Sequence, residues 1–221
     1  MNRKNLISYT LLFTMLLSIA AVSQTKAQEA EVALLKASAN NNISDAKRLL
    51  SEGVDPNIRT KAGDTPLKYA TVKNNVEIIE LLVEYDVDLD QKDGNGYTSL
   101  LLATFHNKLE VAKALVEAGS ALDVKAPSGA TPIYTAVSRG YEEMVRTLAE
   151  NGADVNIATV NNITPLMQAA ANGNIAVVEI LLEHGADNSI SNKEGETALD
   201  WATQKGNDDV IALLNNYSSK Q

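Results

Sequence analysis

A step of 33 residues governs this chain from Leu34 to Leu214. Thr65, Thr98, Thr131, Thr164 and Thr197 stand one step apart. Ala37, Ala70, Ala103, Ala136, Ala169 and Ala202 keep the same step. So do Leu49, Leu82, Leu115, Leu148, Leu181 and Leu214, and so do Leu34, Leu67, Leu100, Ile133, Leu166 and Leu199. No insertion breaks the register. A strict period of this length belongs to a stacked array, in which one unit cannot bury its own apolar face and each closes the core of the next.

Each column has a physical task. Thr suits a helix N-cap, where its hydroxyl accepts from an orphan backbone N–H. Pro66, Pro132 and Pro165 follow at the first helical position, which needs no donor. The Leu or Ile two places after Thr points inward, and the Ala five places after it lets neighbouring helices approach closely. A second apolar run follows, such as Ile78-Ile79 with Leu81-Leu82, spaced for one buried helical face. Gly53, Gly119, Gly152 and Gly185 then occupy a helix-stop column that favours a left-handed backbone. Asp86 takes this position in the second unit, at a small expected cost.

The segments T-P-L-K-Y-A at 65–70, T-P-I-Y-T-A at 131–136 and T-P-L-M-Q-A at 164–169, with N-G-A-D-V-N at 151–156 and H-G-A-D-N at 184–188, resemble the ankyrin repeat. The resemblance covers about 29–217. It implies an all-α solenoid of about six helix-turn-helix repeats with projecting β-turn tips, at roughly 28–59, 60–92, 93–125, 126–158, 159–191 and 192–221. Where the family usually has His after T-P-L, this chain reads Lys68, Leu101, Tyr134, Met167 and Asp200, so that histidine's hydrogen bonds do not carry over. The ends, Glu29-Ala30-Glu31 and Asn215 onward, read as polar caps on the stack.

Residues 1–27 differ from the rest. Arg3 and Lys4 precede an uncharged apolar run, Leu6 to Val22, and Thr25-Lys26-Ala27 places small residues at the two positions read before a cut. That order is a secretory signal, with cleavage expected after Ala27 and Ser23 as the second candidate. The run is at the short end of the roughly 17–25 residues that span a bilayer. Its brevity and polarity suggest a bacterial protein, periplasmic or secreted, with no membrane attachment after cleavage and residues 28–221 as the mature domain.

The formal charge is −9, and removing a leader that holds only basic charges makes the chain more acidic still. Such a chain repels phosphate backbones, which argues against nucleic acid as a partner. Cysteine is absent, which excludes disulfides, thiolate nucleophiles and Cys-based metal sites.

Catalysis needs groups held together with tuned pKa values, and His106 and His184 sit in different repeats at different columns. His184 precedes a helix stop, where a cation suits the helix end. Asp55, Asp88, Asp154 and Asp187 form a column best read as aspartates bonding their own turn backbone. Trp201 shares a column with Tyr69 and Leu102 and reads as core. No catalytic, cofactor or metal site is expected.

The resemblance implies a concave surface lined by turn tips and first helices. Aromatics and Arg concentrate binding energy, and Tyr97, Phe105 and Arg139 lie in adjacent units at mid-array. The expected protein-binding residues are Tyr97, Phe105, His106, Arg139, Ile163, Val160, Asn95 and Ser138. The expectation is a non-catalytic, monomeric protein-binding module acting outside the cytoplasm: an immunity protein, a helper of a periplasmic enzyme, or an exported effector. Its rivals are a structural spacer without a specific partner and a metal-dependent enzyme.

Overall fold

The computed structural model describes residues 24–218. The expected leader therefore falls largely outside the described residues; 24–27 form the exposed start of the first helix, α1, described over 24–39. Eleven further helices follow: α2 (Ile43–Ser51), α3 (Pro66–Lys73), α4 (Val76–Glu84), α5 (Ser99–Phe105), α6 (Leu109–Glu117), α7 (Pro132–Arg139), α8 (Glu142–Glu150), α9 (Pro165–Asn172), α10 (Ile175–Glu183), α11 (Ala198–Lys205) and α12 (Asp208–Ser218). Among the described residues the regular structure is helical throughout.

The repeated threonines start the odd-numbered helices from α3 onward. Thr65, Thr98, Thr131, Thr164 and Thr197 each accept from the backbone N–H three residues on. At Thr197 the bond is reciprocated, because the Asp200 carboxylate accepts from the Thr197 N–H at 2.8 Å. Two-residue connections such as Asn74-Asn75 fold each first helix back onto its second. Asn74 adopts a left-handed φ of 63°, which Asn tolerates better than most side chains.

Two layers result. The first helices α3, α5, α7, α9 and α11 stack on one another, and the second helices α2, α4, α6, α8, α10 and α12 stack in parallel with them. One continuous apolar core fills the space between, with Ala70, Ala103, Ala136, Ala169 and Ala202 fully buried. The Ala column thus sits where helix meets helix, as its small size requires.

Tips cross the stack at the same step. Backbone pairs Thr60–Asp64, Asp93–Tyr97, Ala126–Ala130, Thr159–Ile163 and Asn192–Glu196 close each one, with N···O distances of 2.9–3.0 Å. The aspartate column behaves as expected: the Asp55, Asp88, Asp154 and Asp187 carboxylates each accept from the backbone N–H two residues on. Asp86 stands at φ 57°, in the helix-stop column where Gly53, Gly119, Gly152 and Gly185 have φ 85–95°.

The joints between repeats carry bonds that the column reading did not anticipate. Asn57, Asp90, Asp123 and Asn156 use one side-chain oxygen each to accept a backbone N–H of the next repeat, from Asp88, Ala121, Asp154 and Asp187. Alongside, Arg59, Lys92 and Lys125 donate to the carbonyls of Lys92, Lys125 and Ala158. Where the family usually has His, Lys68 bridges Asp64 at 2.5 Å and Asp93 at 2.7 Å, linking two tips by charge. At the C-terminal end the Tyr217 hydroxyl donates to the Leu182 carbonyl at 2.9 Å and fastens α12 as a cap.

Candidate functional site

The site is built where the third and fourth repeats meet on the face of tips and first helices. Its first element is the 93–97 turn. The Asp93 carboxylate accepts from the N–H groups of Asn95 and Tyr97, and this fixes the backbone that presents Tyr97 just before the Thr98 cap. Burial pushes the Asp93 carboxyl up, but the Lys68 ammonium and the two turn N–H groups outweigh it and hold it below its ordinary value. The turn is therefore tied by two hydrogen bonds to an ionised carboxylate.

Helix α5 runs from that cap to Phe105, with His106 as its C-cap. Phe105 remains 41% exposed. Its ring receives the Arg139 guanidinium, whose carbon lies 3.7 Å from the ring centroid, a cation–π contact. The His106 ring meets it in a T-shaped arrangement, with centroids 5.2 Å apart. Arg139 holds this place because it is the last residue of α7, which stops at Gly140. Its guanidinium takes part in no hydrogen bond or ion pair among the described residues.

An open hollow of about 200 Å³ lies here, lined among others by Tyr97, Phe105, Ser128, Tyr134, Ser138 and Arg139. The Tyr134 hydroxyl donates to Gln168 of the next repeat at 3.2 Å, and burial raises its pKa. The hollow offers an aromatic floor, a guanidinium and hydroxyl groups, a combination suited to recognition. It holds no nucleophile paired with a base.

Of the residues expected at a binding face, Tyr97, Phe105, Ser138 and Arg139 come together in this hollow, and His106 borders it through Phe105. Asn95 and Val160 stand exposed on tips outside the lining, Val160 at 62%. At Ile163 the Thr159 hydroxyl accepts from the N–H, and the side chain packs, partly buried, against the core. Trp201 packs on the core as expected and also walls a second hollow of about 600 Å³ with Gln168, Asn172, Glu196, Gln204 and Lys205. Its indole donates to Glu196 at 2.9 Å. The sequence signal for this second hollow was the polar set Asn172, Glu196, Gln204 and Lys205 in non-scaffold columns.

His184 caps α10, its Nδ1 lying 2.8 Å from the Ile180 carbonyl. Among the described residues no group of three or more His, Cys, Asp or Glu is arranged to hold a metal ion. No helix among them is long and apolar enough to cross a membrane.

Comparison with known proteins agrees with this geometry. A family model described as ankyrin repeats matches three times, at residues 34–126, 94–159 and 155–221. An ankyrin repeat domain from Acinetobacter baumannii superposes with a TM-score of 0.80 at 30% identity, covering 85% of this chain and 98% of that one. A chain of the complex between a predatory endopeptidase from Bdellovibrio bacteriovorus and an immunity protein superposes with a TM-score of 0.70 at 30% identity, covering 83% and 97%. The ankyrin repeat domain of Bcl-3, a member of the IkappaB family, gives 0.78 at 26% identity, covering 84% and 85%. No curated protein sequence matches the chain.

Proposed function

Because this chain belongs to the ankyrin-repeat family, whose fold is typically a non-catalytic interaction module, we propose that it holds a protein partner on the face of tips and first helices, outside the cytoplasm. The observation that carries this reading is the Phe105–Arg139 stack. A large aromatic ring is left 41% exposed at mid-array under a guanidinium without a carboxylate. Arg and aromatic groups in such hollows are the common anchors of protein interfaces. The frame that holds them is already formed by capped helices and closed tips, so docking orders little and loses little entropy.

Residues 1–27 supply the export reading, with cleavage after Ala27. Among the possible roles, the likeness to a chain of an endopeptidase–immunity protein complex favours an immunity protein that masks an exported enzyme. Such a protein works by occlusion and needs only shape, anchors and rigidity.

The test is capture of a partner from exported fractions, with the exported protein itself beginning at Gln28. Wild type retains the partner, while Tyr97→Ala with Phe105→Ala weakens capture by about 30-fold or more, the loss expected of hot-spot truncation, at unchanged helix content. Undiminished capture by the double variant rejects the site. Recovery of the protein from the cytoplasm alone, with its leader intact, rejects the location.

A further inference from the structure

The first helices all end on one column. Lys73, His106, Arg139, Asn172 and Lys205 stand one repeat apart, each the last residue or the C-cap of its helix, and all are exposed. A cation at a helix C-terminus complements the helix dipole, which explains why one such residue is tolerated. It does not explain how charge is divided between the two layers. The second helices α4, α6, α8, α10 and α12 carry ten glutamates and two aspartates against Lys113 and Arg146. The first helices α3, α5, α7, α9 and α11 carry a single acid, Asp200, against Lys68, Lys73, Arg139 and Lys205. A chain of net charge −9 thus keeps its first-helix layer positive.

The cations of the row are also unspent. Lys68 is held by Asp64 and Asp93, but Lys73, Arg139 and Lys205 enter none of the ion pairs among the described residues. Asp200 is engaged in the Thr197 capping box. Glu196, which shares a hollow with Lys205, already accepts from Asn192, Trp201 and Gln204, and these bonds hold its carboxyl below its ordinary pKa. The Arg139 guanidinium sits over the Phe105 ring and makes no hydrogen bond or ion pair among the described residues, so its N–H groups are open to a two-bond contact with a carboxylate.

We infer that this row receives an extended acidic segment of the partner, lying along the first helices with a carboxylate at each cation. The inference rests on the reading of this face as the partner site and names the chemistry of what docks there. Packed helices are spaced by about 10 Å, and an extended chain advances about 3.3 Å per residue. One repeat therefore matches about three residues, and because Lys73, Arg139 and Lys205 stand two repeats apart, the segment carries Asp or Glu at about every sixth position. The acidic second layer repels a long nucleic acid, whereas a short acidic segment stays within the positive row.

The experiment titrates the whole chain, by fluorescence anisotropy at low salt, into a labelled peptide of about 13 residues with Glu at every sixth place and Gly-Ser between. A matched Lys peptide and an oligothymidylate of equal length accompany it. Wild type binds the Glu peptide saturably and not the Lys peptide, and Lys73→Gln/Arg139→Gln/Lys205→Gln weakens binding about tenfold, the summed effect of three exposed pairs. No Glu-peptide binding, equal binding by the triple variant, or tighter binding of the oligonucleotide overturns the inference. If the partner captured through Tyr97 and Phe105 is held undiminished by the triple variant, the acidic segment falls while the protein-binding reading stands. If capture is insensitive to Tyr97 and Phe105, that reading falls by itself.

Discussion

Lys68 occupies the column where the family usually has His, and it supports the tips by charge instead. The Asp93 carboxylate beneath it has a side chain only 3% exposed, and a buried charge that loses its partner is strongly destabilising. Lys68→Met is therefore expected to cost about 2–4 kcal/mol at neutral pH, read by urea denaturation. Because the folded-state pKa of Asp93 is lowered, its stabilising contribution is complete above the unfolded carboxylate pKa. It is lost as pH falls through that range towards the folded value. The gap between variant and wild type is thus widest at neutral pH and narrows in acid, as the stranded carboxylate takes up a proton. Residue identity alone gave the threonine caps, the Asp86 stop and the placing of Phe105 and Arg139 in adjacent units, because each depends on column spacing; the contact between those two side chains it did not give. The Lys68 bridge between two tips and the hollow beside Trp201 were not legible in the same way. Each depends on the direction a side chain takes from a tip or helix, which the step of 33 does not encode.

Between elements, the joints are where column reading was weakest. The helices and their partners followed from periodicity, but the side-chain bonds from Asn57, Asp90, Asp123 and Asn156 to the next repeat run between polar loop residues that have no apolar pattern. A signal existed in hindsight: at these four positions that column holds only Asn or Asp, residues that can offer an oxygen to a backbone N–H. Asp123 fits it least well. Burial pushes its carboxyl up, the bond from the Asp154 N–H pulls it down, and the Asp154 charge pushes it up again, leaving it above its ordinary value. The folded state then keeps that proton longer than the unfolded chain, so ionisation above the carboxylate range costs stability. Asp123→Asn keeps the acceptor, as at Asn57 and Asn156, and removes the charge. The variant is expected to be more stable than wild type at about pH 7, with the difference vanishing near pH 3, where both carboxyl states are protonated. Denaturant midpoints at the two pH values check this, and an equal gain at both contradicts it.

For the whole molecule, stability is shared among neighbouring interfaces. Every joint uses the same columns, so removing one complete unit leaves Lys125 followed by Thr159 in unbroken register. Deletion of 126–158 is expected to give a folded, shorter stack that still melts in one cooperative transition. Its denaturant sensitivity falls with the surface lost, and its midpoint drops because one interface is gone. A broad or multi-step melt on circular dichroism contradicts this picture. The binding face changes with it, because Phe105 then lies beside Gln168 and Asn172 of the fifth repeat instead of Arg139. The consequence reaches the gene. A coding sequence whose joints are interchangeable can lose or duplicate one block by in-frame recombination and still yield a folded product. Lineages carrying it can therefore sample new recognition surfaces by changing the number and order of blocks, ahead of any point mutation.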